Sequence, residues 1–334
     1  MTNPKIKVGV YGASGYAGQD LVHLLSRHPN AQLTFGTSNT YAGQPIPGSP
    51  LRYIPSDEAP FADADAVFLA LPHRASAPIA KIALNADVRV LDLSADLRLD
   101  TAERYEQWYD TPHPHPELLP TIYGLPEVNR EEIRGTERVA VPGCYPTATL
   151  LGLMPLLRAK ALTDESPVIV DAKSGASGAG RKVKENLHFV EVFGNLSPYS
   201  PGRQHRHVGE IEQEFARLGY NGQLTFVPHL LPVDRGLMAS IYVTLGPQIT
   251  SRRVRSLYQD MYNGEQLIEL LPLGEQATLK HVVRQNHCTI SLTPITERYL
   301  HITSVIDNLR KGAAGQAVQC FNLMFNLPEA TALL

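Results

Sequence analysis

The first third of the chain alternates short apolar runs with segments of helical spacing. Residues 6–11 form a β-branched run that ends at Gly12, and residues 15–27 then carry apolar side chains three and four positions apart. The same pattern predicts strands at residues 32–37, 66–71 and 88–93 and a helix at residues 75–86. Strands that alternate with helices predict a parallel sheet with right-handed crossovers.

The second half has a different pattern, in which strands outnumber helices. A short strand at residues 139–141 precedes a predicted helix at residues 145–159. Further strands are predicted at residues 168–172, 224–231, 237–245, 289–293 and 299–306, and helices at residues 208–218 and 251–262. This pattern is typical of a mixed or antiparallel sheet. We therefore predict an α/β protein with one parallel-sheet domain and one α+β domain whose mixed sheet is largely antiparallel.

Two segments complete this prediction. Residues 109–123 contain four prolines and are predicted to form a loop. Residues 315–327 are an amphipathic helix that we expect to return to the first domain.

Length and composition limit the class of protein. A chain of 334 residues is long enough for two domains, and a net charge of −3 without a basic stripe argues against nucleic-acid binding. Three cysteines argue against a disulfide framework and for a reducing compartment. The first residues lack the apolar core of a signal peptide, and no run of 18 apolar residues occurs. We expect a cytoplasmic protein that does not span a membrane.

A glycine-rich turn joins the first predicted strand to the first predicted helix. It reads Gly12-Ala-Ser14-Gly15-Tyr16-Ala17-Gly18. Small residues at such a turn let backbone N–H groups approach a pyrophosphate at the positive end of the helix. The turn is therefore predicted to bind a nucleotide cofactor, and a tight turn that needs glycine only for steric reasons is the alternative.

The end of the second predicted strand indicates which cofactor is preferred. A free ribose 2′-OH is usually met there by a carboxylate, whereas this chain has Thr37-Ser38-Asn39. Hydroxyl and amide groups hydrogen-bond a 2′-phosphate without repelling it. The sequence therefore predicts NADP, with Ser38 as a contact.

Cys144 stands at the predicted start of a helix. Pro146 suits the first helical turn, which places Cys144 beside the orphan amides and the positive end of the helix dipole. Such an environment favours the reactive thiolate, so Cys144 is the predicted nucleophile and a buried structural cysteine is the alternative. The structural role is the prediction for Cys288 and Cys320.

Three polar clusters are further candidates. In His205-Arg206-His207, a histidine is predicted to act as acid or base with Arg206 holding an anionic substrate. A metal site is disfavoured because no second ligand pair supports it, and a surface capping cluster remains an alternative. Ser174 and Gly175 lie in a Gly/Ser-rich segment that forms either a phosphate nest or a flexible loop. Arg98 is predicted to bind substrate or to form a structural ion pair.

Six segments occur here in the order found in one known family. They are the glycine turn from Val8 to Gly18, Asp92-Leu-Ser-Ala-Asp-Leu-Arg98, Val141-Pro-Gly-Cys-Tyr-Pro-Thr147, Ser174-Gly-Ala-Ser-Gly-Ala-Gly-Arg181, His205-Arg-His207 and Asp307-Asn-Leu-Arg-Lys-Gly312. Together they resemble the N-acetyl-γ-glutamyl-phosphate reductases, part of the aspartate-semialdehyde dehydrogenase-like group. The resemblance covers nearly the whole chain. One departure is Gly209, where the family often has proline.

The resemblance implies roles for individual residues. Cys144 would be the nucleophile and His205 the acid/base, Tyr199 would lie near the site, and Asn308 would lie near the nicotinamide. It also implies a Rossmann domain of residues 1–147 completed by residues 312–334, with a catalytic and oligomerisation domain of residues 148–311 in a dimer or tetramer.

The implied reaction is the NADPH-dependent reduction of N-acetyl-L-glutamyl 5-phosphate through a cysteine thioester, without a metal. A reductase acting on aspartyl or aminoadipyl phosphate is the closest alternative. A metal hydrolase built on the histidines and a non-catalytic NADP-binding sensor are alternatives of other classes.

Overall fold

The computed structural model describes residues 4–334, which divide into two compact units. The first unit comprises the described residues up to Gly143 together with Ala313–Leu334, and the second is Cys144–Gly312. The assignment of residues 1–147 and 312–334 to nucleotide binding, and of residues 148–311 to catalysis, stays a prediction.

The first unit is built on a seven-stranded sheet. Its strands are β1 (Ile6–Tyr11), β2 (Ala31–Thr37), β3 (Tyr53–Ile54), β4 (Ala66–Leu69), β5 (Arg89–Asp92), β6 (Ile122–Tyr123) and β7 (Arg138–Ala140). They lie in the order β3-β2-β1-β4-β5-β7-β6, and every pairing is parallel. The chain leaves β1 toward β2 and β3 and later returns to the other side of β1 with β4. This reversal of strand order places a topological switch point, where open sheets bind ligands, at the carboxyl ends of β1 and β4.

The second unit contains a mixed seven-stranded sheet. Its strands are β8 (Val168–Gly175), β9 (Ser197–Pro198), β10 (Leu224–Leu231), β11 (Leu237–Thr244), β12 (Ile268–Leu270), β13 (Cys288–Pro294) and β14 (Tyr299–Ile306). The order is β12-β13-β14-β11-β8-β10-β9. The β10–β8 and β12–β13 pairs are parallel and the other four are antiparallel. The predicted fold class, with one parallel and one mixed, largely antiparallel sheet, is confirmed.

Ten helices accompany the two sheets in the described part of the chain. They are α1 (Tyr16–Leu25), α2 (Ser76–Leu84), α3 (Ala102–Tyr109), α4 (Pro126–Arg134), α5 (Cys144–Arg158), α6 (Phe189–Val192), α7 (His207–Arg217), α8 (Ser251–Tyr262), α9 (Leu279–Val282) and α10 (Gly315–Met324). Across residues 4–334, none of these helices has the length and apolar character that crossing a bilayer requires.

The C-terminal helix α10 is buried in the first unit, as predicted. All ten of its residues are buried. Asn322 is hydrogen-bonded through Oδ1 to the ring of His28 at 2.9 Å, and Gln316 Nε2 donates to the carbonyl oxygen of Gly124 at 3.0 Å. Helix α10 therefore contributes polar as well as apolar contacts to a unit that begins at the other end of the chain.

Helix α5 is the central helix of the second unit. Every residue from Tyr145 to Leu157 is buried, and the helix packs on β11 and β14. Gly152 permits this approach, since a Cβ there would stand 2.7 Å from Cδ1 of Ile241. The backbone of α5 is held by Tyr258, whose hydroxyl donates to the Gly152 carbonyl oxygen at 2.5 Å.

The prediction of a loop at residues 109–123 is wrong at the C-terminal end of the segment. Strand β6 begins at Ile122 and pairs with β7, and Pro116–Leu118 form one turn of 3-10 helix. A two-residue strand is too short to show an alternating pattern, and its pairing is set by the neighbouring strand rather than by local sequence.

Candidate active site

The glycine turn of the first unit packs so closely on neighbouring backbone that two of its positions have no room for a side chain. Gly12 has a φ of +73°, and a Cβ there would lie 2.4 Å from the carbonyl oxygen of Ala70. A Cβ at Gly18 would lie 2.2 Å from the carbonyl oxygen of Gly12. Both positions therefore need glycine. Helix α1 starts directly after Gly15 without a side-chain cap, so its first N–H groups have no side-chain acceptor.

Hydroxyl groups gather beside this turn at the end of β2. The hydroxyls of Ser14 and Ser38 are 2.8 Å apart, and the Gly12 N–H donates to Oγ1 of Thr37 at 3.1 Å. Ser56, which the sequence analysis did not single out, donates its hydroxyl to Oγ1 of Thr37 at 3.3 Å. Its backbone N–H donates to the side chain of Asn39. The turn and the Thr37-Ser38-Asn39 segment therefore form one polar surface. None of these three residues contributes a carboxylate to it.

Cys144 is the first residue of α5 in the second unit. The first N–H groups of a helix have no intrahelical acceptor, so the sulfur lies at the positive end of this helix. A Cβ at Gly312 would stand 2.8 Å from Cβ of Cys144. Gly312 belongs to a π-helical turn, Arg310–Ala314, and therefore packs directly against Cys144.

Two tyrosines lie next to Cys144 and are hydrogen-bonded to each other. The Tyr199 hydroxyl donates to the Tyr145 hydroxyl at 3.0 Å, and Tyr145 donates to the carbonyl oxygen of His229 at 3.3 Å. Burial raises the pKa of both phenols, and the charge of Cys144 adds to the increase. Both therefore remain protonated donors at neutral pH.

His205 is held among aromatic rings in the same cluster. Its ring lies edge-on to Tyr145 (centroids 5.7 Å apart), Tyr199 (5.6 Å) and Phe226 (5.3 Å). Burial lowers the pKa of His205 to about 4, and the charge of Arg206 contributes in the same direction. The backbone N–H of His207 donates to Nδ1 at 3.2 Å, which assigns the proton of the neutral ring to Nε2.

Ser174, Gly175 and Asn308 also belong to the second unit. A Cβ at Gly175 would lie 2.8 Å from the carbonyl oxygen of Asp234, so the strand end and this turn are in close contact. Asn308 donates from Nδ2 to the hydroxyl of Ser177 at 2.9 Å and accepts the Gly236 N–H at 2.8 Å. These bonds fix the loop that follows β8, which is therefore ordered by contacts with the segment after β14.

Asn308 is positioned by the buried carboxylate before it. Asp307 accepts the backbone N–H groups of Arg284 at 2.7 Å, Leu309 at 2.8 Å and Arg310 at 3.0 Å. This carboxylate therefore determines the path of the chain from β14 into the π-helical turn.

Comparisons with known proteins identify the family. Residues 7–136 match the model "Semialdehyde dehydrogenase, NAD binding domain", and residues 144–308 match "Semialdehyde dehydrogenase, dimerisation domain". An N-acetyl-gamma-glutamyl-phosphate reductase of Desulforamulus reducens is 45% identical, and one of Symbiobacterium thermophilum is 43% identical. The alignments cover 98% of this chain and 98% and 97% of these relatives.

The chain belongs to the N-acetyl-γ-glutamyl-phosphate reductase family. The resemblance inferred from its six segments is confirmed. Among solved structures, aspartate semialdehyde dehydrogenase II of Vibrio cholerae, complexed with ASA, has a TM-score of 0.77 at 21% identity and covers 97% of this chain and 99% of its own. The aspartate semialdehyde dehydrogenase of Candida albicans with NADP has a TM-score of 0.72 at 15% identity, covering 96% and 98%. These two likenesses concern the fold.

The predicted site residues of this reductase family member fall into two groups. The glycine turn and Ser38, which are predicted to bind the cofactor, lie together in the first unit. The predicted residues in the second unit are Cys144, Ser174, Gly175, Tyr199, His205 and Asn308. Their roles stay predictions. Tyr145 and Gly312 entered the sequence analysis only as members of two family segments, without a predicted role. Nothing in the sequence places Gly312 beside residue 144.

Arg98 and Arg206 are the two arginines predicted to bind substrate. Arg98 donates from Nε to the carbonyl oxygen of Val141 at 2.9 Å and from Nη2 to that of Leu93 at 2.8 Å, which ties together two segments of the first unit. Arg206 is exposed at the start of α7. Contact of either residue with substrate stays a prediction.

Proposed function

We propose that this protein catalyses the NADPH-dependent reduction of N-acetyl-L-glutamyl 5-phosphate to N-acetyl-L-glutamate 5-semialdehyde and phosphate. The names of its relatives support this substrate. The observation that carries the chemistry is Cys144 at the start of α5, followed by Tyr145, which is hydrogen-bonded to Tyr199 and packs edge-on against the ring of His205. This is the arrangement of an activated nucleophile with a positioned hydrogen-bond donor.

The first unit fits a dinucleotide that carries a 2′-phosphate. Gly12 and Gly18 allow the tight turn at the uncapped start of α1, where a pyrophosphate would bind, and Ser14 and Ser38 provide hydroxyl donors instead of a carboxylate. When bound, NADPH supplies the hydride that reduces the thioester. We accordingly propose a higher kcat/KM with NADPH than with NADH.

Cys144 begins the reaction. Its thiolate attacks the acyl carbon, a carbon–sulfur bond forms, and the carbonyl oxygen becomes an oxyanion that the first N–H groups of α5 are placed to stabilise. Collapse of this intermediate breaks the bond to phosphate, which leaves, and a thioester remains on Cys144.

His205 acts in the second half-reaction through its Nε2–H. This N–H donates a hydrogen bond to the oxygen that becomes negative when the thioester carbon is reduced, and the electron pair moves to sulfur as the carbon–sulfur bond breaks and the aldehyde leaves. The neutral ring is the starting form, because the pKa of about 4 keeps it unprotonated at Nδ1 near pH 7. Tyr145 and Tyr199 hold the ring by edge-on packing.

We also propose that the protein works as a homodimer or homotetramer in the cytoplasm. The matched dimerisation domain supports self-association. Three cysteines without a disulfide among them favour a reducing compartment.

The test uses the reverse reaction. Reduction of NADP⁺ is followed with N-acetylglutamate semialdehyde, with and without inorganic phosphate, and aspartate semialdehyde serves as competitor. We expect phosphate-dependent turnover and a preference for the acetylated substrate. Turnover that is independent of phosphate would exclude a phosphorylating enzyme. A preference for aspartate semialdehyde would support the same class of reaction with a different substrate. The two substrates are discriminated because a site that binds a free ammonium group leaves its polar groups unpaired against an acetylated amine.

A further inference from the structure

Arg74 has a backbone conformation that residues other than glycine seldom adopt. Its φ is +71°, in the left-handed region, and it lies in the turn that joins β4 to α2. The turn is closed by the backbone N–H of Ala75, which donates to the carbonyl oxygen of Pro72 at 3.2 Å. An arginine in this conformation costs free energy that a glycine would not, and such residues cluster at ligand-binding sites. The strain therefore points to a function of the arginine side chain.

The buried carboxylate of Asp96 holds this turn in place. Through Oδ1 it accepts the backbone N–H of Arg74 at 2.5 Å, and through Oδ2 it accepts those of Ser76 at 3.1 Å and Ala77 at 3.0 Å. The hydroxyl of Tyr105 also donates to Oδ1, at 3.3 Å. Backbone and hydroxyl donors thus satisfy the carboxylate without the guanidinium of Arg74.

The guanidinium of Arg74 is exposed, and no residue in the range 4–334 forms a hydrogen bond or an ion pair with it. Arg104 and Arg134 of the same unit each pair with a nearby carboxylate. Burial and the charge of Asp96 raise the pKa of Tyr105, and the charge of Arg74 opposes this rise. The structure therefore places an available positive charge at the strained turn.

The segment that carries Arg74 packs against the glycine turn. A Cβ at Gly12 would stand 2.4 Å from the carbonyl oxygen of Ala70 and 3.2 Å from Cδ2 of Leu71. The strand order β2-β1-β4 places Ser38, which follows β2, and Arg74, which follows β4, on opposite sides of that turn. A dinucleotide in such a crevice has its 2′-phosphate near the end of β2 and its pyrophosphate at the start of α1. The pyrophosphate is therefore the cofactor anion on the side of Arg74.

We propose that Arg74 binds the pyrophosphate of the dinucleotide cofactor, through the two parallel N–H donors that a guanidinium offers to a phosphate. The left-handed backbone fixes the point at which the side chain leaves the turn, which accounts for a strained arginine at this position. The inference rests on the proposed function, because it requires a dinucleotide in the first unit.

The test measures the Kd of three ligands by titration calorimetry. NADPH and NADH share the pyrophosphate, whereas 2′-AMP carries the 2′-phosphate without a pyrophosphate. Arg74→Gln removes the charge, Arg74→Lys keeps it, and Arg74→Gly removes the side chain together with the strain. Arg27→Gln is the matched control, because Arg27 is an exposed arginine elsewhere in the first unit. Thermal unfolding of each variant reports on the fold.

We expect Arg74→Gln to weaken the binding of NADPH and NADH by the same factor, about tenfold or more, since a hydrogen bond to a charged group is lost. Binding of 2′-AMP and the control variant should match the wild type, and Arg74→Lys should recover part of the affinity. Arg74→Gly should bind as weakly as Arg74→Gln and unfold at a temperature at least as high, because glycine adopts this φ without strain. A purely structural role of Arg74 would not separate affinity from stability in this way.

Three results would overturn the proposal. They are unchanged NADPH binding by Arg74→Gln, a loss confined to NADPH, which would assign Arg74 to the 2′-phosphate, and an equal loss in Arg27→Gln. A wild type that binds neither dinucleotide would contradict the proposed function, and the inference with it. Wild-type binding that Arg74→Gln retains would contradict the inference alone.

A measurement on the wild type covers the case of a misfolded variant. Phenylglyoxal modifies exposed arginines, and mass spectrometry locates the modified residues. NADPH and inorganic pyrophosphate should each protect Arg74 from modification, while 2′-AMP should not. Modification of Arg74 at the same rate with and without NADPH would contradict the contact.

Discussion

Replacing Gly312 with alanine introduces one methyl group against Cys144, the proposed nucleophile. The new Cβ would stand 2.8 Å from Cβ of Cys144, 3.2 Å from the carbonyl oxygen of Asp307 and 3.2 Å from Cδ1 of Ile306. Carbon atoms in contact are normally about 3.5–4.0 Å apart. The methyl group therefore overlaps Cys144 by roughly 1 Å. Cβ of Cys144 is fixed to the start of a buried helix, so the overlap cannot be relieved by rotating a flexible side chain.

The expected loss can be worked out from this overlap. Overpacking of a buried site costs about 1–3 kcal/mol of stability, which a folded two-unit protein tolerates. A displacement of about 1 Å at a reacting group costs on the order of a hundredfold in rate. We therefore expect Gly312→Ala to be folded, to bind NADPH normally through the first unit, and to lose roughly a hundredfold in kcat.

The assay is steady-state NADP⁺ reduction with N-acetylglutamate semialdehyde and phosphate, together with thermal unfolding and NADPH titration. Gly135→Ala is the matched control, because a Cβ there would meet nothing closer than 4.0 Å. Gly312→Ala with the kcat of the wild type would refute the argument that the π-helical turn holds Cys144 in place.

Three further outcomes are expected. Cys144→Ala abolishes turnover while replacement of the two buried cysteines preserves it, and residual activity of Cys144→Ala in the same assay would exclude the thioester. His205→Asn loses about 10²–10⁴-fold in kcat and His207→Asn much less, and the reverse ranking would reassign the role of His205. Burial and the charge of Asp96 raise the pKa of the buried Asp92 carboxyl to about 6. The folded state therefore holds a proton between about pH 4 and pH 6 that the unfolded state has lost, and stability falls as pH rises through this window by about 3 kcal/mol. Urea unfolding of the wild type and Asp92→Asn checks this, because the slope should be smaller in the variant.

Much of the fold could be predicted because it depends on local pattern. The buried strands β1, β10 and β14 are continuous apolar or alternating runs, and their predicted bounds agree with the structure. Cys144 was placed at a helix start by Pro146 and the preceding Pro-Gly pair, and it is the first residue of α5. Local rules were sufficient wherever one short segment determined its own conformation.

The rest depends on contacts between distant segments. Helix α4 has few apolar residues and is anchored by Asn129, whose side chain donates to the Tyr123 carbonyl oxygen at 2.8 Å, so no periodicity predicts it. The contact of Gly312 with Cys144 joins residues more than a hundred positions apart. The aromatic rings around His205 likewise come from different elements, since Tyr145 lies in α5 and Phe226 in β10. No spacing in a single sequence encodes such pairings.

The return of α10 to the first unit determines the order in which a nascent chain can mature. Cys144–Gly312 is continuous, so the second unit has all of its residues once translation has passed Gly312. The first unit has its glycine turn from the start but lacks the partner of His28 until Asn322 has left the ribosome. Domains generally fold as units during synthesis, so the half that is synthesised first is completed last. Until the chain is released, the first unit lacks helix α10 and its core is incomplete. A chain that stopped just after Gly312 would therefore contain every residue predicted to contact the cofactor without a complete first unit.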